Sequence, residues 1–231
     1  MTTAFINENC HNQTERRIVM RRITRSYWGK GQIEAVPEET KTEDKAEVLV
    51  REPSVLEQVD NRIYFYAEIN RQNILKLNKS LRRLSNDLIT TSNLQEFNMY
   101  PPIILHINTY GGNLFDGLAG LDEITNCKVE VRTIVDGCCA SSGTFLSVAG
   151  KERFINKHAF MLIHQLSSFF WGPYSEFQDE KKNLDWLMDM IKDVYKEYTK
   201  VPEKTIDEIL KHDLWFDAET CLEYGLVDKI L

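Results

Sequence analysis

From about Val59 onward the apolar positions switch repeatedly between a period of two and a period near 3.6. Arg62-Ile63-Tyr64-Phe65-Tyr66-Ala67 is β-branched and aromatic and predicts a strand. Asn73 to Leu88 sets Ile74, Leu75, Leu77, Leu81, Leu84 and Leu88 at helical spacing, with Lys and Arg between them. Pro101 and Pro102 stop any helix, and Ile103 to Asn108 predicts a short buried strand. Gly111-Gly112 breaks that strand before a helical pattern over Leu114–Ile124. A strand over Val129–Val135, a turn over Gly137–Gly143, a helix over Thr144–Ala149 and a strand over Phe160–His164 follow. The longest helical signal is Tyr174–Lys200, where Phe177, Leu184, Leu187, Met188, Ile191, Val194, Tyr195 and Tyr198 form one stripe. Strands alternating with helices predict right-handed βαβ units and an α/β fold.

Residues 1 to about 55 break this pattern. Arg16, Arg17, Arg21, Arg22 and Arg25 give way to an acidic stretch from Glu34 to Glu47. High charge with few apolar positions buries too little surface to offset ordering entropy, so this segment is expected to be a mobile or docking extension. The remainder, 56–231, is expected to form one domain.

Composition narrows the function classes. The net charge of −7 argues against general nucleic-acid binding. No apolar run is long enough to span a bilayer, and the polar start with Glu8 does not read as a secretory signal. Glu15 and the lack of serine enrichment argue against a transit peptide, so a cytoplasmic protein is expected. Cys10, Cys127, Cys138, Cys139 and Cys221 show no C-x-x-C pairing and are expected to be small buried hydrophobes in a reducing compartment. No phosphate loop is present, so no ATP binding by this chain is expected.

Three residues carry candidate chemistry. Ser141, in Cys139-Ala140-Ser141-Ser142-Gly143, follows a small-residue turn and precedes a helix, beside backbone N–H groups suited to an oxyanion. The bland alternative is that Ser141 or Ser142 only caps that helix. The spacing is not the G-x-S-x-G elbow, which disfavours an α/β-hydrolase. His164 ends an apolar strand, where a side chain can leave the core and face a pocket. The other histidines are His11, His106, His158 and His212, and none has metal-site company. Asp213 could accept from the far imidazole nitrogen, but Asp217 and Asp228 are competitors that the residues alone leave unranked. Gly111-Gly112 allows a close backbone approach with N–H groups facing a negative oxygen.

Four blocks in order resemble the ClpP family of proteolytic subunits and the wider ClpP/crotonase superfamily. Ile107-Asn108-Thr109-Tyr110-Gly111-Gly112 resembles its I-N-S-P-G-G. Ala140 to Gly150 resembles its A-S-x-G block, and Met161-Leu162-Ile163-His164-Gln165 its M-I-H-Q block. Tyr224-Gly225-Leu226-Val227-Asp228 matches its closing Y-G-L-V-D. The resemblance covers about Val59 to Leu231. It implies stacked βαβ units with the Tyr174–Lys200 helix projecting as a handle.

The resemblance also implies a serine endopeptidase, with Ser141 as nucleophile, His164 as general base and Asp213 as the third member, selected by counting back from Gly225. The backbone N–H groups of Gly112 and Ser142 would form the oxyanion hole. It further implies a homo-oligomeric ring of seven members, single or stacked in pairs, and a AAA+ unfoldase that delivers unfolded protein and uses the ATP. No cofactor, metal, nucleic acid or membrane is implied for this chain itself. Rival functions are a capsid-maturation protease, a non-catalytic ring subunit and a crotonase-like acyl-CoA enzyme. The sequence departs from the family at Tyr110 and Leu166, where prolines stand, and at Ser167–Trp171, where a glycine-rich strand runs.

Overall fold

The computed structural model describes residues 23–24, 32–33, 55–95 and 100–231. The chain falls into two units, Met1–Val48 and Leu49–Leu231. In the first, β1 (Ile23–Thr24) pairs antiparallel with β2 (Gln32–Ile33). The expected charged extension over 1–55 otherwise lies outside the described residues.

The second unit opens with a hairpin of β3 (Val55–Val59) and β4 (Arg62–Tyr66), turned at Asp60 with a positive φ of 52°. Helix α1 (Arg71–Leu94) starts where the Asn70 side chain accepts from the Asn73 N–H at 2.9 Å. Its Ile74, Leu77, Leu81 and Leu84 are buried. Strand β5 (Ile103–Thr109) alternates buried and half-buried side chains, the signature of a strand with one face in the core. Helix α2 (Leu114–Thr125) follows, capped by Asn113. Arg82 of α1 reaches both carboxylate oxygens of Glu123 on α2.

Strand β6 (Val131–Ala140) runs through the first half of the expected Gly137–Gly143 turn, which is shortened to Ser141-Ser142. Gly137 does punctuate the chain, at φ 72°, but as an irregularity within the strand. The register against β5 shifts there, from Ile107↔Val135 to Thr109↔Cys139. Beyond it lie α3 (Gly143–Val148), β7 (Glu152–Ile155) and β8 (Phe160–Leu162). Helix α4 (Tyr174–Tyr198), α5 (Glu203–Ile209), β9 (Trp215–Phe216), α6 (Ala218–Glu223) and β10 (Lys229–Ile230) complete the chain.

The main sheet has the order β10-β7-β6-β5-β4-β3, parallel except for the β3/β4 hairpin. β6 forks. Its first half, Arg132–Val135, pairs with β7, and its last three residues, Cys138–Ala140, pair with β8. β8 in turn pairs antiparallel with β9. The fork carries the end of β6 away from β7, so Ser141 emerges between β8 and the Gly111-Gly112 turn.

Only Ile191 and Tyr195 of α4 are buried. The rest of its expected apolar stripe is partly or largely exposed, with Phe177 at 54%; Trp186, outside that stripe, is 67% exposed. None of the described helices is long and apolar enough to cross a membrane.

Candidate active site

Ser141 sits between the end of β6 and α3 in the left-handed region, φ 55°. That conformation costs a non-glycine residue about 1–2 kcal/mol, and hydrogen bonds at both ends of the residue hold it. Its N–H donates to the Leu162 carbonyl of β8 at 2.8 Å, and its carbonyl accepts from the Thr144 N–H at 3.0 Å. Its neighbour Ser142 points inward. The Ser142 Oγ is buried and has no hydrogen-bond partner among the described residues.

The Gly-Gly turn lies directly against this serine. A Cβ on Gly111 (φ 93°) would stand 2.6 Å from both the Ala140 carbonyl oxygen and the Ser141 Cβ. One on Gly112 (φ 150°) would stand 2.1 Å from the Ile69 carbonyl oxygen. The contact with Ile69 is a parallel bridge: the Ile69 N–H donates to Gly111 O, and the Asn113 N–H donates to Ile69 O, each at 2.8 Å. A parallel bridge uses the groups flanking its central residue, so the Gly112 N–H is directed to the other side. Neither the Gly112 N–H nor the Ser142 N–H has a hydrogen-bond partner among the described residues. Both residues line one cavity with Ser141 and His164.

His164 stands two residues past β8, which ends at Leu162 rather than continuing through the histidine. The segment after it is pinned by Gln165 N–H to Leu210 O at 2.7 Å and by Leu166 N–H to the Met188 sulfur at 3.2 Å. The His164 Nδ1 lies 3.6 Å from Asp213 Oδ1, an ion-pair distance longer than a hydrogen bond. Asp213 is in the loop before β9, its side chain 58% exposed against 19% for His164.

The competing carboxylates are engaged elsewhere. Asp217 caps α6, accepting from the Thr220 N–H at 2.9 Å, and hydrogen bonding from the Thr220 side chain, then from that N–H, holds its carboxyl below the usual range. Asp228 accepts from the Arg153 Nε, Nη2 and backbone N–H at 3.0, 2.7 and 2.9 Å, and the guanidinium lowers its pKa. Asp213 alone of the three pairs with His164.

Tyr110, standing where the family has proline, meets Trp215 edge-to-face at 6.4 Å. Trp215 lies two residues past Asp213, so this contact joins the Gly-Gly turn to the Asp213 loop. Such aromatic pairs contribute about 0.5–1.5 kcal/mol beyond area burial. The Ser167–Trp171 stretch forms no strand, and Phe169 and Trp171 are 82% and 80% exposed.

The cavity has a volume of about 330 Å³. Phe115, Phe145, Leu166, Leu184, Leu187 and Ile191 supply apolar wall, and Glu180 is the only carboxylate among its lining residues. The Glu180 carboxylate accepts from the Ser168 hydroxyl at 3.3 Å.

A second histidine–carboxylate pair lies outside the cavity. His106 Nδ1 is 2.8 Å from Asp136 Oδ2, which also accepts from the Tyr66 hydroxyl at 2.8 Å, while Asn156 donates to Oδ1 at 2.6 Å. Burial opposes ionisation of Asp136, but the bonds from His106 and Tyr66 outweigh it and lower its pKa. Arg62 donates to the His106 Nε2 at 2.9 Å, which makes Nδ1–H the tautomer. This pair is tighter than His164–Asp213, yet both imidazole nitrogens are committed and none of its members lines the cavity. Among the described residues no group of three His, Cys, Asp or Glu is placed to hold a metal ion. Of the described cysteines, all free, Cys139 and Cys221 are buried and Cys127 and Cys138 half-buried.

The Clp protease family profile matches residues 57–231. The chain belongs to the Clp protease family. It is 34% identical over 134 residues to the ATP-dependent Clp protease proteolytic subunit 2 of Bifidobacterium longum, covering 56% of this chain and 63% of that protein. It is 35% identical over 131 residues to proteolytic subunit 1 of Streptomyces avermitilis, covering 56% and 60%. The matches thus span less than two thirds of the length of these relatives. A solved mutant of ClpP1 from Listeria monocytogenes shares the fold, with a TM-score of 0.63 and 24% identity over 74% of this chain and 91% of that one. The fold is therefore the ClpP/crotonase-like α/β arrangement, and the divergence is visible in the identities.

Four further residues position this site and escaped the sequence reading: Ile69, Leu162, Thr144 and Tyr195. Thr144 read as an ordinary helical residue and Tyr195 as one member of an apolar stripe. Only the D-x-x-T spacing of Asp217 and Thr220 offered a local signal, the mark of an N-cap that sets Asp217 apart from Asp213.

Proposed function

We propose that this Clp protease family member is a serine endopeptidase. Ser141 is the nucleophile, His164 the general base and Asp213 the residue that orients the imidazole. The observation that carries this reading is the pair of unpartnered N–H groups, on Gly112 and Ser142, lining one cavity with Ser141 and His164. With Nδ1 turned to Asp213, the His164 Nε2 takes the Ser141 proton as Oγ attacks a peptide carbonyl. The developing oxyanion accepts from the two N–H groups. His164 then donates the proton to the leaving amine, and water repeats the cycle on the acyl-serine. Nothing in these steps calls for a cofactor.

A fluorophosphonate probe tests the assignment directly: mass spectrometry should place the adduct on Ser141. An unlabelled protein would exclude it and favour a non-catalytic subunit, or an acyl-CoA enzyme that does not need Ser141.

The 3.6 Å gap to Asp213 leaves the imidazole less tightly held than a hydrogen bond would. Asp213→Asn should still lower turnover of a peptide substrate roughly 10²-fold or more, because an amide can stabilise the wrong tautomer. Turnover near that of the unmodified chain would remove Asp213 from the mechanism.

The apolar wall suits peptides with apolar side chains near the scissile bond. Glu180 adds one negative charge, so Glu180→Gln should lower kcat/KM about 3–10-fold for substrates with a lysine beside the cleaved bond, and leave norleucine analogues unchanged. A positional peptide library reads both values, and equal effects on the two series would exclude this role.

Membership of the family supports a homo-oligomeric ring, a seven-membered one in this reading, fed with unfolded protein by a AAA+ partner that hydrolyses the ATP. The exposed aromatic residues of α4 and the segment before it are apolar surface of the kind subunits cover. Analytical sedimentation should return an assembly, and a stable monomer at micromolar concentration would contradict it.

A further inference from the structure

The carbonyl of Ser141 accepts twice from Thr144, from its N–H at 3.0 Å and from its Oγ1 at 2.6 Å. A carbonyl can only accept, so the single hydroxyl proton of Thr144 is committed to Ser141. The Tyr195 hydroxyl lies 2.7 Å from the same Oγ1. With the threonine proton spent, Tyr195 must be the donor. The chain of hydrogen bonds therefore runs one way, from Tyr195 on α4 through Thr144 on α3 to the carbonyl of Ser141.

This chain is closed to solvent. Thr144 is 0% and Tyr195 2% exposed. Burial pushes the Tyr195 phenol well above its ordinary pKa, so the group stays a donor. The Tyr195 ring also packs on Phe145, with centroids 5.8 Å apart.

The Ser141 carbonyl and the Ser142 N–H belong to one peptide plane. In a trans peptide the two point in opposite directions, so fixing the oxygen fixes the aim of the hydrogen; the chain contains no cis peptide among the described residues. We propose that Thr144 and Tyr195 are positioning residues, whose hydroxyl chain holds the 141–142 peptide plane so that the Ser142 N–H faces the oxyanion. This rests on the peptidase reading above and adds to it a polar link from α4 to the reacting centre. Thr144 does not line the cavity; Tyr195 does, but its hydroxyl is committed to Thr144.

Three variants and one double variant test it, with kcat and KM on a model peptide and Tm measured for each. Thr144→Val keeps the shape and removes the hydroxyl. It should lower kcat about 10–100-fold with KM within 2-fold, since the donor acts on the transition state. Thr144→Ser should restore most of the loss. Tyr195→Phe should be milder, about 3–10-fold, because Thr144 still donates to Ser141.

The double variant Thr144→Val with Tyr195→Phe separates positioning from stability. Thr144→Val alone leaves a buried phenol without its acceptor and should lower Tm. Removing that phenol as well should recover Tm, while kcat stays as low as in Thr144→Val. A kcat that recovers together with Tm would reduce the pair to a stability device and overturn the proposal. So would a kcat in Thr144→Val equal to that of the unmodified chain. If the unmodified chain fails to take a fluorophosphonate on Ser141, the peptidase reading falls and this one with it. If it is labelled but the variants match it, only the positioning role falls.

Discussion

Ser141→Ala should abolish both fluorophosphonate labelling and peptide hydrolysis, with turnover falling by about 10³–10⁶. The size of the effect follows from the division of labour in the site. Without Oγ no acyl-serine can form, and His164 has no proton to take. What remains is the contribution of the oxyanion donors, which alone give modest acceleration. The fold should be unaffected, because Ser141 is held by its main chain, through Leu162 and Thr144, rather than by its hydroxyl. Its left-handed φ is as available to alanine as to serine, so Tm should stay within a few degrees. Ser142→Ala is the control. Its Oγ is buried, so labelling should persist. Labelling that survives Ser141→Ala and vanishes in Ser142→Ala would invert the assignment.

Gly112→Ala should be the most damaging change that leaves every reacting side chain in place. A Cβ there would stand 2.1 Å from the Ile69 carbonyl oxygen, far inside contact, and the obstacle is backbone with no rotamer to change. The φ of 150° adds strain for any L residue. The turn must then leave Ile69, which breaks the two hydrogen bonds of the bridge and swings the Gly112 N–H away from the cavity. Stability should fall by roughly 2–4 kcal/mol, and kcat by about 10²–10³ for the lost oxyanion donor. Thermal melts and steady-state kinetics would measure the two separately. Full activity in a folded Gly112→Ala protein would remove the Gly112 N–H from the mechanism.

The local parts of this arrangement were legible in the sequence because local patterns produce them. The alternation in β5 and the helical spacing of α1 come straight from the side of the element that meets the core. Ser141, the glycine pair and His164 were visible for a related reason: each sits where an apolar run is interrupted. β6 departs from its local pattern for the same reason. By pattern Gly137 ends the strand, whereas in the fold it takes up a register shift and lets the strand continue to Ala140. Choosing among Asp213, Asp217 and Asp228 required knowing which carboxylates a cap and an arginine had already taken. That depends on where Arg153 ends up, which no periodicity reveals. Thr144 and Tyr195 were beyond reach for the same reason, since nothing in a helical stripe marks which tyrosine carries a hydroxyl that matters.

Thr144 and Tyr195 are 51 residues apart in the chain, and Ile69 and Gly112 also meet across a long separation. Closing such loops costs entropy before any contact repays it, so these pairings form late and slow folding. On the reading proposed above, that delay also postpones full activity. A chain that has made its strands but not yet docked the C-terminal end of α4 already carries its serine and its histidine, but its Ser142 N–H is held through Thr144 alone. Full competence arrives with the last long-range contacts, when Tyr195 completes the hydroxyl chain.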